Sequence, residues 1–403
     1  MSSTDIAEKI AEAAICVIAT HGLARLTHRA VASAAEVSLA ATTRHFATKA
    51  DIVAAGSDRL LKGYLAAFSR AVERQRHGQG LASDMRSLLR LLTANAAGYR
   101  QRDSLAWCEI MLAAGRTARG QMLARHWFDE LSKTWADLAE AMGSSSDPNL
   151  IESAIDTAIG LLFIVLPLAL TPDQVRDCLR DGFSPDMVRI SPADTLPLLP
   201  VRATSKARET KERIIDAAIG IMVDGGPELL TYNAISASAG LTLAAPAYHF
   251  GTIDRLIAVA QDRMFSISQD RYREILRTLP ASPRDLDELV DLTAAIFARE
   301  STEFVAINRA TYSIWLEAAR SPALRESIRQ SVAIMQRAWA ARLYRIGGRS
   351  GDLEGLGALA LYIGKFVRIA ATGSRTVDLA RMHHGFKFAM SQLSRPEPTG
   401  TFF

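Results

Sequence analysis

Cysteine is scarce in this 403-residue chain: Cys16, Cys108 and Cys178 lie far apart, without metal-ligand spacing. That excludes a disulfide scaffold and a cysteine-rich zinc module, and it suits free thiols in a reducing, cytoplasmic compartment. Aromatic residues are also few, at 7%, so the cores must be filled mainly by alanine, leucine and isoleucine. No charge of one sign dominates: 47 Lys and Arg face 43 Asp and Glu, for a net charge of +4. Bulk charge therefore demands no polyanionic partner, and a basic footprint has to be found locally. A secretory signal is missing, because the N-terminus opens polar and acidic. The most apolar stretch, Ile155 to Leu170, holds about sixteen residues with Pro167 inside. A membrane-spanning helix needs roughly 20, so a buried or interface helix is expected there.

The motifs of catalysis are missing as well. There is no zinc spacing, phosphate loop, nucleophile elbow or carboxylate pair at useful spacing. The reading is that the chain is not an enzyme and uses no cofactor or metal.

What is present is helix-forming sequence. Hydrophobic residues make up 49% of the chain, and long runs lack glycine and proline, which favours an all-α fold. The length calls for two or three domains. The chain also repeats itself. Residues 8–62 align without a gap on 212–266, at a constant offset of 204. Glu8, Ala13, Ala14, Gly22, Leu26, Thr27, Ala30, Ala35, Leu39, His45, Phe46, Asp58 and Arg59 all recur. The register persists at Arg116 and Arg320, Trp135 and Trp339, Gly143 and Gly347. This is a duplication followed by strong divergence. Between the copies, Ser184 to Arg202 carries four prolines, at 185, 192, 197 and 200, which forbid a continuous helix. About 18 linker residues can reach roughly 60 Å when extended.

Each copy opens with the same local pattern. Ile6, Ile10, Ala13, Ala14, Val17 and Ile18 share one face of a helix from about Asp5 to His21. Gly22 sits where a C-cap glycine belongs. Thr27 can cap a second helix, His28 to Ala35, and Ser38 a third, Leu39 to Phe46. Ala30, Val31, Ala34, Val37 and Thr42 are expected to pack these two together. Two short helices joined by a tight turn make a helix-turn-helix. In the second copy Ile214, Ala217, Ala218 and Ile221 mark the first helix, Thr231 and Thr242 are the expected caps, and Gly240 sits in the turn. The first copy has Glu36 at that turn, at a cost of about 1 kcal/mol if the residue is left-handed.

Both segments resemble the DNA-binding domain of the TetR family of bacterial regulators. The resemblance rests on the first-helix pattern ending in Gly22 or Gly226 and the Leu-Thr entry at 26–27 or 230–231. It continues through the Ala-Val-Ser or Gly-Leu-Thr turn to Arg44-His45-Phe46 or Tyr248-His249-Phe250. It covers about 55 residues per copy; the remainder fits the family only in length and helicity. There are departures. The family's tyrosine two residues before the His-Phe pair is replaced by Thr43 and Ala247. Lys49, at the start of the fourth helix, is Ile253 in the second copy, and Pro246 stands in the first turn of the second reading helix.

The resemblance implies two tandem modules: a helix-turn-helix at 1–50, a helical ligand and dimerisation domain at 51–184, a linker at 185–204, a second helix-turn-helix at 205–254 and a second helical domain at 255–395. It implies a ligand-responsive transcription regulator, most simply a repressor released by a small apolar or aromatic effector, and double-stranded DNA as partner. The expected DNA contacts in the first head are Thr27, His28, Ser38, Leu39, Ala40, Thr43, Arg44, His45 and Lys49. In the second they are Thr231, Tyr232, Thr242, Leu243, Ala244, Ala247, Tyr248 and His249. Threonine and serine caps can offer a hydroxyl and a helix N-terminus to phosphate, Arg44 can read guanine or grip phosphate, and Leu39, Ala40, Leu243 and Ala244 can touch thymine methyls. His45 and His249 follow the family's phosphate-contact position; Phe46 and Phe250 are core residues.

Local charge is modest, with seven Lys and Arg against six Asp and Glu in residues 1–62. Lys206, Arg208, Lys211 and Arg213 read either as a backbone-binding arm or as a solvated helix start. Ligand-lining candidates are Trp107, Glu109 and Met111, with Arg309, Tyr312 and Trp315 in the second copy. The dimerising faces are expected at Ile151 to Leu170 and Leu353 to Ala371. They serve either a homodimer or an intrachain pseudo-dimer, with no membrane involved. Two unlike reading helices point to an asymmetric DNA site. The alternative is a helical ligand-binding or scaffold protein with degenerate heads.

Overall fold

The computed structural model describes residues 3–191, 204–278, 283–347, 351–373 and 379–393. Among these residues there is no strand. The first half of the chain forms α1 (Ser3–His21), α2 (His28–Ala34), α3 (Leu39–His45), α4 (Lys49–Arg76), α5 (Met85–Ala97), α6 (Gln101–Ala114), α7 (Ala118–Ala141), α8 (Pro148–Val165) and α9 (Pro172–Asp181). The second half follows the same order: α10 (Ser205–Gly225), α11 (Tyr232–Ala239), α12 (Ala244–Phe250), α13 (Ile253–Thr278), α14 (Leu286–Thr302), α15 (Val305–Glu317), α16 (Arg325–Arg345), α17 (Asp352–Thr372) and α18 (Leu379–Leu393).

Side-chain caps set most helix starts. Thr27, Ser38, Thr117, Thr204 and Thr231 each accept an N–H three residues on. Thr48 with Asp51, and Thr171 with Gln174, close full capping boxes. Each cap contributes about 1 kcal/mol by satisfying otherwise orphaned donors. The first helix of each half ends on a glycine at positive φ, Gly22 at 81° and Gly226 at 108°. Such angles are open to glycine at no steric cost.

The two halves meet along α8 and α17, the apolar helices expected to form the interface. Both are long and apolar enough to cross a membrane by length and composition, yet 72% and 78% of their apolar windows are buried within the fold. A Cβ on Gly160 would fall 1.8 Å from the Ala360 carbonyl oxygen, and one on Gly364 would fall 1.7 Å from that of Asp156. Positions 160 and 364, like 156 and 360, are 204 residues apart, so the crossing repeats itself under a local two-fold exchange of the halves. Helices α9 and α18 flank the crossing, α9 against α17 and α18 against α8.

Charge breaks this symmetry. On α8, Asp156 is fully buried and Glu152 partly so. From α17, the Lys365 ammonium reaches both acids at 3.1 Å, and the Arg368 guanidinium meets Asp156 at 2.8 Å and Glu152 at 2.5 Å. Burial raises the Glu152 pKa, but Arg368 and Lys365 outweigh it and hold the carboxyl at about 2. All the acids lie on one helix and all the bases on the other. A copy of α8 facing another α8 would bring buried carboxylates together instead, a costly arrangement.

Most of the proline-bearing segment, 192–203, lies outside the described residues. Its start is docked. Phe183 is buried and exchanges two 3.0 Å hydrogen bonds with the Gln336 side chain of α16, while Arg329 donates to the Pro185 carbonyl at 3.2 Å.

Candidate nucleic-acid interface and effector cavities

In the first head α2 and α3 are set by Thr27, whose hydroxyl accepts from Ala30 N at 3.1 Å, and by Ser38, which accepts from Ala41 N at 3.0 Å. Val31, Ala35 and Thr42 are buried between the helices, with Ala30 and Val37 partly so. Ala34, expected in that packing, faces solvent; the turn of the helix puts Ala35 inward instead. Glu36 takes a φ of +52°, matching +62° at Gly240. The turn is thus left-handed in both copies, and the first pays the steric cost of a Cβ there.

The third helices of the two heads share one exposure pattern. Ser38, Leu39, Ala40, Thr43 and Arg44 are exposed, as are Thr242, Leu243, Ala244, Ala247 and Tyr248. His45 and His249 are half-buried at the helix ends. Leu39 is 44% exposed, Leu243 60% and Tyr248 85%. Nothing in the core demands large apolar side chains at such exposure, and they form the outer face of each head. Thr43 folds its hydroxyl back onto the Leu39 carbonyl at 3.1 Å.

Thr242 does not cap its helix, contrary to expectation; α12 begins one residue late with no side-chain cap. Pro246 explains this. In the first copy Thr42 N–H bonds the Ser38 carbonyl at 3.1 Å. Proline has no N–H, so the Thr242 carbonyl takes Ala245 N–H at 3.0 Å in a tighter turn.

Three further expected contacts are also engaged within the protein. His28 Nε2 lies 2.8 Å from the Phe46 carbonyl, and Tyr232, at the same place in the second head, donates to the Gly251 carbonyl at 2.6 Å. Both brace the start of the second helix to the end of the third. Lys49 donates to the Ala24 carbonyl at 3.0 Å; desolvation lowers its pKa, with Glu228 pulling the other way. Burial, then Lys211, lower the His249 pKa. Lys206, Arg208, Lys211 and Arg213 lie in the first turns of α10. Arg213 caps the end of α11, donating to the Ala239 carbonyl at 2.6 Å.

Behind the heads lie two unequal cavities. The first, of about 1060 Å³, is walled by α4 to α8 and by α1 of the first head, through Ala7, Ala11 and Ile15. Its apolar lining includes Tyr64, Phe68, Trp107, Trp127 and Trp135. Trp127 Nε1 donates to Ser57 at 2.8 Å and Trp135 Nε1 to the Tyr64 hydroxyl at 2.6 Å. Trp107 Nε1 is buried without an acceptor. Leu81, Tyr99, Arg100 and Arg102 also contribute to the lining. The second cavity, about 390 Å³, is lined by Tyr312, Trp339, Tyr362 and Phe366 with Glu300, Asn308 and Arg342. Here a Cβ on Gly355 would fall 2.5 Å from the Gln336 carbonyl, so α16 and α17 approach closely. The matching position on α8 is Ile151.

Of the six ligand candidates, Trp107 lines the first cavity and Tyr312 the second. Glu109 turns away to pair with Arg320, Met111 is fully buried core, Arg309 reaches the Ala370 carbonyl at 3.5 Å, and Trp315 is fully buried with its N–H unpaired. Sequence reasoning missed Tyr64, Trp127 and Trp135. Their signal was spacing: Tyr64 and Phe68 are four apart, Trp127 and Trp135 eight apart, so each pair shares a helix face.

Residues 10–55 match the family model for bacterial regulatory proteins of the tetR family, and residues 284–383 match the tetracyclin repressor-like C-terminal domain. Over 70 residues the chain is 36% identical to an uncharacterized HTH-type transcriptional regulator, TtgW, of Pseudomonas putida. That alignment covers 17% of this chain and 52% of the relative, so the chain spans about half the length of the curated protein it matches. Among solved structures, the multidrug binding protein EbrR complexed with imidazole is similar, at 22% identity and a TM-score of 0.39, over 50% of this chain and 100% of that one.

Proposed function

We propose that this chain, whose two matched segments are those of TetR-family regulators, is a cytoplasmic DNA-binding regulator in which one chain does the work of a dimer. The observation that carries this reading is the pairing of two like heads through one self-repeating crossing. α1–α3 and α10–α12 expose the same face, and Gly160 and Gly364 exchange the same contact at the centre. A two-fold dimer sets two reading helices against successive major grooves, about 34 Å apart. The α8–α17 charge cluster favours pairing within the chain over pairing of like halves between chains.

The modules run 1–184 and 205–395, joined by the 185–204 segment. Arg44 with Thr43 reads one half-site; Tyr248 with Ala247 and Leu243 reads another of different sequence. Thr27, Ser38 and Thr231 hold phosphates with the helix N-termini, aided by His45 and His249. The chain acts as a repressor: a small apolar or aromatic effector enters a cavity, shifts the spacing of the heads and weakens DNA binding. Lys49, His28 and Tyr232 set the shape of each head rather than reach DNA directly. The alternative reading, a ligand-binding or scaffold protein with degenerate heads, predicts no specific complex with any DNA site.

The experiment is a gel-shift with the DNA flanking its own gene, titrated against non-specific competitor at two salt concentrations. A complex surviving a large excess of competitor supports the reading. Binding to both DNAs with one affinity and one salt slope overturns it.

A further inference from the structure

The two halves set an arginine at the same point, just after the sixth helix of each, and surround it in opposite ways. Arg320 follows α15, and its side chain is 11% exposed. It pairs with Glu109 of α6 and, at 2.9 Å, with Glu317 of α15. Arg116, its equivalent at the offset of 204, follows α6. The positions matching Glu317 and Glu109 on that side are Ala113 and Ser313. Both carboxylates are therefore missing around Arg116. Its guanidinium donates instead to the Asp224 carbonyl at 2.5 Å, near the end of α10.

A second positive charge stands where an acid would be expected. Arg309 of α15 occupies the position that is Leu105 in the first half. A Cβ on Gly115 would fall 3.0 Å from Arg309 Nη2, so the two arginines meet at the end of α6. Arg309 reaches the Ala370 carbonyl only at 3.5 Å, and its Nε–H is buried without an acceptor. Burial, then the neighbouring Arg116, pull the Arg309 pKa down to about 10. Among the described residues no carboxylate pairs with Arg116 or Arg309. Arg125 of α7 repeats the pattern. It matches Arg329, which pairs with Glu326 at 2.7 Å, but Met122 stands in place of that acid. Arg125 donates to the Thr372 carbonyl at 3.1 Å. The open carbonyls in the last turn of α17 account for a cation near each of them. They do not account for two arginines brought together without an acid, which costs like-charge repulsion and desolvation.

We propose that Arg116 and Arg309 form a binding site for a phosphate group at the junction of α6, α15 and the end of α10. The anion takes the part that Glu109 and Glu317 play around Arg320. Guanidinium forks match phosphate oxygens in pairs, and two of them neutralise a dianion. Arg125 adds to the positive field at the same end of α17. Neither Arg116 nor Arg309 lines a cavity or belongs to a reading helix. The site is therefore separate from the effector and DNA surfaces, and stands whether or not those readings do.

Isothermal titration calorimetry on the full chain without DNA, in chloride at fixed ionic strength, tests this with inorganic phosphate and with phenyl phosphate. One saturable site per chain is expected. Arg309→Met and Arg116→Met should each weaken it at least about tenfold, as expected for hydrogen bonds to a charged group. Ala113→Glu restores within the chain the acid that Arg320 has, so it should abolish phosphate binding and raise the thermal unfolding midpoint in chloride. Arg76→Met, which removes a charge elsewhere, should leave binding unchanged. Tighter binding of phenyl phosphate identifies the ligand as a phosphomonoester; equal or weaker binding identifies the free anion. No saturable binding of either probe overturns the site and leaves the arginines as caps of α17. Binding that persists equally in Arg116→Met and Ala113→Glu means an adventitious ion only, and overturns it too. Arg116 is exposed, so Arg116→Met decides the matter if Arg309→Met does not fold.

Discussion

Gly160 and Gly364, 204 positions apart, each lie against the backbone of the other's helix. A Cβ at either would sit within 1.8 Å of a carbonyl oxygen, that of Ala360 or of Asp156. Neither neighbour is a flexible side chain, so nothing can yield except the helix separation. Gly160→Val or Gly364→Val should therefore force α8 and α17 apart, at a cost of at least about 2 kcal/mol. Thermal unfolding checks this. An unchanged midpoint in both variants would mean the helices do not meet as described.

The buried charges give a second prediction. The Glu152 carboxyl is held at about 2 by Arg368 and Lys365 against an ordinary value of 4.5. A depressed acid contributes stability that is fully present above the unfolded pKa and is lost as pH falls through 4.5 towards 2. Its contribution at neutral pH is about 3 kcal/mol, from roughly 1.4 kcal/mol per pKa unit. Glu152→Gln should cost a comparable amount at pH 7 and nearly nothing at pH 2, read as urea midpoints across that range.

Glu109 behaves in the opposite sense. Burial pushes its pKa up to about 7 against the pull of Arg320. The folded state thus keeps a proton that the unfolded chain loses near 4.5, and stability falls as pH rises from about 4.5 to 7, then levels off. Glu109→Gln should flatten that segment of the stability–pH curve. Retention of the same slope in the variant would assign it to another group.

Backbone strain in the first head gives a fourth. Glu36 sits at a φ of +52° where the second copy has glycine, and its ion pair with Lys9, at 3.6 Å on the surface, contributes little. Glu36→Gly should stabilise the chain by about 1 kcal/mol, seen as a higher denaturant midpoint with unchanged m-value.

These features differed in how openly the sequence displayed them. Helix starts were legible because Thr27, Ser38 and Thr231 announce themselves by type and position. The meeting of α8 with α17 was legible as an apolar run opposite a small-residue helix. Thr242 misled because a backbone property of Pro246, four residues on, decided the cap. Glu109 and Arg309 misled more deeply. Their partners, Arg320 and the Ala370 carbonyl, lie in the other half of the chain or across the α15–α17 junction. No local periodicity reports a contact made over 61 or 211 residues.

The reading residues carry the last of the variant predictions. Arg44→Ala and Tyr248→Ala should each weaken operator binding by about 1–3 kcal/mol, roughly 5- to 150-fold, and relax sequence preference at different half-sites. Binding selections on randomised operator DNA would show it. The same half-site relaxing in both variants would count against two unlike heads.

The most direct test of one chain acting as a dimer is the mass of the purified DNA complex, measured together with its footprint. One chain per site is expected, protecting about one to two helical turns with unequal half-sites. Two chains on a longer palindromic site with equal halves would contradict it.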